Sequence, residues 1–131
     1  HDGARPLVAI KHIHALVERA LEDRAAILAV PVKDTIKQVK DGKVVKTLDR
    51  SSLWAVQTPQ AFWLSDIKAA HLKALKEGVV ATDDASLVER MGVEVAVVEG
   101  GYENIKITTP EDIDLARILL ERERSYWNKS D

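Results

Sequence analysis

Residues 25–32 read AAILAVPV, eight consecutive apolar residues between Arg24 and Lys33. A run this short without polar alternation reads as a central strand covered on both faces, the habit of strands in α/β sheets. Upstream, Ile10, Ile13, Leu16, Val17, Ala20 and Leu21 recur at helical spacing, which predicts a helix over about 10–23. Downstream, residues 32–50 (VKDTIKQVKDGKVVKTLDR) are rich in β-branched residues on both sides of Asp41-Gly42, a strong two-residue hairpin signal. A helix over about 65–77 stops at Gly78, with Ile67, Ala70, Ala74 and Leu75 on its apolar face. A shorter helix is expected from Thr82 to just before Gly92, and VEVAVVEG (93–100) reads as a second buried strand. NIKI (104–107) reads as a third, followed by Thr109 as N-cap, Pro110 at the first helical position and acids in the first turn. Strands alternating with helices predict one α/β domain over 1–131 with a largely parallel sheet.

The composition sets limits on function. Of 131 residues, 46% are hydrophobic and 31% charged, the balance of a globular domain with a real core. A formal charge of −2 gives no whole-chain case for nucleic acid, so any anion must be met by a local cluster. The chain has no cysteine, which excludes disulfides, thiolate zinc sites and a cysteine nucleophile. No apolar run reaches the roughly 18 residues of a membrane helix, so no membrane partner is expected. Ligands of such a sheet gather at the carboxyl ends of its strands. Three polar clusters are expected there: Asp2 to Arg5, the hairpin base near Thr35 and Arg50, and Asn104 to Thr109. Gly100-Gly101 lacks the spacing of a dinucleotide fingerprint.

A two-residue turn at Asp41-Gly42 pairs Lys40 with Lys43 and sets the expected register: Lys37 opposite Lys46, Thr35 opposite Leu48, Lys33 opposite Arg50. One face then presents Lys33, Thr35, Lys37, Lys46 and Arg50, with Thr35 and Arg50 close enough to share a ligand. Lysines on an exposed hairpin are ordinarily guards against edge-to-edge association, and Lys37, Lys40, Lys43 and Lys46 are read in that way. Arg50 stands apart at the base, beside Trp54. An isolated two-stranded arm is marginal in water, so one this long needs a surface to pack on, and a second subunit is the simplest.

Taken in order, HDGARP (1–6), AVPVKDTIK (29–37), LDRSSLWAVQTPQAF (48–62), TDDASLVE (82–89) and VEGGYENIKITTPEDI (98–113) resemble the 2-C-methyl-D-erythritol 4-phosphate cytidylyltransferase family, over residues 1 to about 120. The resemblance implies a three-layer Rossmann-like nucleotidyltransferase fold, incomplete at the N-terminus, with a protruding β-hairpin arm over about 32–50. It implies a homodimer by β-arm exchange, a cytoplasmic bacterial setting (or a plastid in a plant), and Mg2+ bound mainly with the CTP phosphates. The reaction implied is that of the non-mevalonate isoprenoid pathway, CTP and 2-C-methyl-D-erythritol 4-phosphate giving CDP-methylerythritol and pyrophosphate. HDGARP falls mid-domain in the family, so this chain is expected to be the C-terminal part of the enzyme and inactive without the glycine-rich CTP loop.

By motif, the resemblance makes Arg50 and Lys106 the residues that position the incoming phosphate, Arg50 from the neighbour's arm and Lys106 from the subunit's own strand end. Thr35 and Thr58 match hydroxyl contacts from the partner subunit. Asp2 and Arg5 match a pair near the polyol hydroxyls, with Asp2 close to a metal–phosphate site. Simpler readings weigh against some of these: a loop ion pair between Arg5 and Asp2, a solvated edge position for Lys106, and plain turn chemistry for Thr58 before Pro59. Thr82-Asp83-Asp84 is taken as a helix cap rather than a metal pair. His12, His14 and His71 are read as surface histidines, and Trp54 and Phe62 as packing residues of the arm base and core. Gly101 departs from the serine that relatives often carry. The readings left beside the main one are a ribitol 5-phosphate cytidylyltransferase and a non-catalytic dimerisation module.

Overall fold

The computed structural model describes residues 1–129. The apolar run forms strand β1 (Ala25–Pro31), and its first six residues are all buried. Its side chains alternate between two cores, as the period of a strand demands. Ala26 and Leu28 pack on Leu16 and Ala20 of helix α1 (Ile10–Asp23). Ala25 faces the other way, into a cluster with Ala70 and Ala74 of helix α2 (Leu64–Glu77) and Leu87 and Val88 of helix α3 (Asp84–Glu89). Helices on both faces of one buried strand make the three layers.

Strand β1 lies between β4 (Trp54–Phe62) and β5 (Ala96–Glu99). It runs parallel to β5 and antiparallel to β4, so the sheet is mixed rather than largely parallel. Strand β4 is not apparent in the sequence because Pro59 interrupts it. Proline tolerates an edge or a bulge, where no ladder hydrogen bond is demanded of it, and β4 supplies both. It flanks the three-stranded sheet, and its register against β1 shifts between the Ile27–Gln60 and Ala29–Val56 pairs, which bracket Gln57–Pro59.

Several boundaries and registers differ from expectation. NIKI is not a ladder strand: Ile107 N donates to Ala4 O at 2.8 Å, and its alternation reflects an extended segment laid against residues 2–5. Helix α3 is capped by Asp83, whose side chain accepts from Ser86 N, and not by Thr82. Leu75 is 80% exposed, off the apolar face of α2 that Ala70 and Ala74 bury. His71 and His14 are exposed, but His12 shares the inward stripe of Leu16 and Ala20 at intervals of four; it is half-buried, with Nδ1 shielded and unpartnered. Helix α4 (Pro110–Lys129) starts as expected. Thr109 Oγ1 accepts from Asp112 N at 3.3 Å while the Asp112 carboxylate accepts from Thr109 N at 3.1 Å, a reciprocal capping box.

The arm is strands β2 (Lys37–Lys40) and β3 (Lys43–Thr47), every residue of which is exposed. Asp41 and Gly42 both take positive φ (51° and 74°), as a tight hairpin turn of this hand requires. The expected pairs Lys40–Lys43 and Val39–Val44 form, but the register then shifts between Gln38 and Val39. Gln38 therefore faces Lys46, and Lys37 faces Thr47 and donates to its hydroxyl at 2.9 Å. The shift also removes Arg50 from the ladder. It opens a 3₁₀ turn (Arg50–Ser52) capped by Asp49, and its guanidinium donates to the carbonyl of Lys33.

Candidate functional site

Four of the six residues singled out in the sequence meet at one end of the sheet. The turn at residues 2–5 closes with Arg5 N donating to Asp2 O at 3.0 Å, and Asp2 Oδ1 accepts from Ala4 N at 3.0 Å. The other carboxylate oxygen lies 3.2 Å from Lys106 Nζ. Asp2 N donates to Thr58 Oγ1 at 3.0 Å, which ties this turn to β4. Arg5 does not pair with Asp2: its guanidinium donates to the carbonyl of Asn104 at 2.7 Å. The Ala4 amide, then the Lys106 ammonium, hold the Asp2 carboxyl below its usual value of 3.8. It is therefore an anion, and an acceptor, at any physiological pH.

Asn104 is the hub of this end of the sheet, a role that its place in a polar cluster did not reveal. It is only 1% exposed, and its Nδ2 donates to Gln57 Oε1 (3.1 Å) and to the Thr58 carbonyl (3.0 Å). Gln57, also buried, donates from Nε2 to Gly101 O at 2.9 Å. This amide pair locks the Gly100–Lys106 loop to the bulge of β4, so Thr58 and Lys106 are held at a fixed separation. Gly100 has a local reason to be glycine: a Cβ there would lie 2.7 Å from Gln57 Oε1. At Gly101 the Glu103 carboxylate fills the space a side chain would take. Gln57 gave no signal in the sequence, since an amide in QTPQ reads as an exposed turn residue.

These groups border a cleft of about 840 Å³ lined by Asp2, Arg5, Gln57, Thr58, Gln60 and Lys106 on one side. The far wall is α2 and the Val79–Asp84 segment. Gln60 bridges the walls, donating from Nε2 to Asp83 Oδ2 (3.0 Å) and accepting from Ala85 N (3.2 Å). Burial pushes the Asp83 carboxyl up, but hydrogen bonds from Ser86 and Gln60 outweigh it and the net shift is downward. Asp84 pairs instead with His71 at 2.9 Å. Among the described residues no group of three or more His, Asp and Glu side chains converges.

Thr35 and Arg50 are not part of this cleft. They sit at the root of the arm, both exposed. Thr58 lines the same cleft as Lys106, and its hydroxyl accepts from Asp2 N. Phe62 packs against the α2–α3 core as expected, while Trp54 pairs with Pro31 at the arm root and stays 41% exposed. Chemically, the cleft mouth offers two cations, one carboxylate and one hydroxyl. The cations suit an anionic group, and the carboxylate and hydroxyl suit a neighbouring polyol.

The chain is similar to known proteins over nearly its whole length. The family model described as "IspD: 2-C-methyl-D-erythritol 4-phosphate cytidylyltransferase" matches residues 1–122. A Halalkalibacterium halodurans protein of that name is 60% identical over 125 residues, 95% of this chain and 55% of its own. One from Bacillus licheniformis is 57% identical over 124 residues, again 95% of this chain and 54% of its own. The crystal structure of the Thermus thermophilus enzyme superposes with a TM-score of 0.84 at 38% identity, covering 91% of this chain and 59% of that one. The chain thus spans just over half the length of the relatives it matches. With a family model covering 122 of its 131 residues, the chain belongs to the 2-C-methyl-D-erythritol 4-phosphate cytidylyltransferase (IspD) family.

Proposed function

We propose that the full-length enzyme transfers a cytidylyl group from CTP to 2-C-methyl-D-erythritol 4-phosphate, and that this chain supplies the polyol-phosphate side of the site. The observation that carries the reading is the Lys106–Asp2 pair at 3.2 Å, with Arg5 and Thr58 beside it on one cleft. An oxygen of the phosphate monoester attacks the α-phosphorus of CTP, the bond from that phosphorus to the bridging oxygen breaks, and pyrophosphate leaves. A phosphate monoester is mostly dianionic at pH 7, its second pKa being about 6, so the nucleophile needs no base. What the step needs is two mutually repelling anions held in line.

Lys106 meets the phosphate with a compact positive charge, half-exposed and reachable from the cleft. Arg50 adds a planar fork able to hold two phosphate oxygens. Because it sits on an arm outside its own cleft, we assign it, with Thr35, to the neighbouring subunit's site in a homodimer. Asp2 accepts from the polyol hydroxyls, Thr58 accepts from or donates to them, and Arg5 holds the loop carbonyl that orients Lys106. Mg2+ would be held mainly by the triphosphate oxygens, since among the described residues no three carboxylate or imidazole groups converge, and would screen charge on the phosphoryl group, with Asp2 the carboxylate nearest Lys106. In the full-length enzyme, Lys106→Ala is expected to abolish most turnover of 2-C-methyl-D-erythritol 4-phosphate while CTP still binds. Faster turnover of ribitol 5-phosphate than of methylerythritol phosphate by the unsubstituted enzyme would reassign the substrate.

A further inference from the structure

The arm is aimed from its root, because β2 and β3 are exposed along their whole length and bury nothing of their own. The root is held to the body by β1–β4 pairing, which ends at Pro31–Trp54, and by a side chain from outside the arm. That side chain is Tyr102, in the loop between β5 and Lys106. Its hydroxyl donates to Pro31 O at 2.7 Å, and the Lys33 ammonium lies 3.8 Å from its ring centroid. The Lys33 carbonyl in turn receives the Arg50 guanidinium. One aromatic side chain thus grips both groups that lead to Arg50, the carbonyl that precedes the arm and the residue on which Arg50 rests.

We infer that Tyr102 is a positioning residue for Arg50: it fixes the direction in which the arm delivers that guanidinium. The inference rests on the proposal that the arm crosses to the neighbouring subunit. Tyr102 is 46% exposed and fills no core, so packing alone does not account for it. A tyrosine is suited to the task because its ring attracts an ammonium while its hydroxyl reaches a carbonyl. Lys106, at the end of the same loop, belongs to the subunit's own cleft, which makes the two roles of the loop separable by experiment.

The test uses mixed dimers of the full-length enzyme. Arg50→Ala and Lys106→Ala proteins are mixed so that one intact site forms, with Lys106 from the first and the arm from the second. Tyr102→Ala is then added to one partner or the other. On the arm donor it should lower kcat/KM for the polyol phosphate on the order of 10-fold, through KM for that substrate and with KM for CTP unchanged. On the Lys106 donor the change should stay within about 2-fold. Tyr102→Phe on the arm donor keeps the ring and should recover most of the loss. An equal loss from either partner, a loss confined to the Lys106 donor, or one that tracks a fall in Tm would overturn the role assigned to Tyr102. Failure of the parent mixture to regain activity would instead overturn arm crossing itself, and the Tyr102 role with it.

Discussion

The cleft mouth and the arm carry similar charges but are built in opposite ways. At the cleft, the functional side chains are tied to partners within the chain: Asp2 takes Ala4 N and Lys106, Thr58 takes Asp2 N, and Asn104 ties Gln57 to Thr58. The arm has a backbone ladder, one lysine–threonine hydrogen bond and no buried residue. A preorganised network suits a site that must hold a reacting group still. An unsupported hairpin is marginal alone and becomes useful when another surface receives it. On the proposed shared site, position in the fold, rather than charge, separates the residues a subunit keeps for its own site from those it lends.

Four perturbations probe that contrast. The largest effect is expected from Lys106→Ala in the full-length enzyme, a loss in kcat/KM on the order of 10²-fold, about 2.7 kcal/mol of transition-state stabilisation. Tm should scarcely move, because a half-exposed ion pair contributes at most about 1 kcal/mol. Asn104→Ala reverses the pattern: it strands buried acceptors on Gln57 and Thr58 and should cost about 2 kcal/mol, read from denaturant unfolding. Gly42→Ala acts on the arm alone. At φ 74° a Cβ is strained, and the expected cost is about 1 kcal/mol locally, seen as faster hydrogen exchange in β2 and β3 with the core unchanged.

The smallest effect concerns pH. Asp2 has a carboxyl lowered below 3.8, so the stability it contributes is fully present above that value and is lost only as pH falls through its lower, folded value. Across the neutral range that contribution should be flat. A fall in kcat/KM below about pH 6 should instead follow the phosphate of the substrate, whose second pKa is about 6. A profile that keeps this inflection in Asp2→Asn supports the assignment to the substrate, and one that loses it does not.

Much of the fold was legible because burial on two faces leaves an unambiguous mark. AAILAVPV predicted β1 within a residue, and Asp41-Gly42 predicted the turn because few other pairs accept two positive φ angles. The failures share a cause. NIKI alternates like a strand, yet its neighbour is a turn that offers it one backbone hydrogen bond. The arm register slipped by one residue because lysines on an exposed face exert no packing preference that would fix it. Strand β4 was hidden by Pro59, whose tolerance depends on a bulge that only pairing with β1 reveals. At the site, the charged residues announced themselves through their motifs. The amides that hold them, Gln57 and Asn104, did not, since burial of a polar side chain is a property of the assembled fold.

A shared site, with Lys106 from one subunit and Arg50 from the other, is the claim on which the rest depends. It is decided by the activity of re-equilibrated mixtures of the inactive Arg50→Ala and Lys106→Ala full-length proteins. When half the dimers are mixed, each holds one whole site and one lacking both residues, so about a quarter of all sites are rebuilt by the symmetry of the exchange. Recovery of about a quarter of the unsubstituted activity is the expected result. Activity that stays at the level of the single variants, in subunits shown to have exchanged, would contradict it.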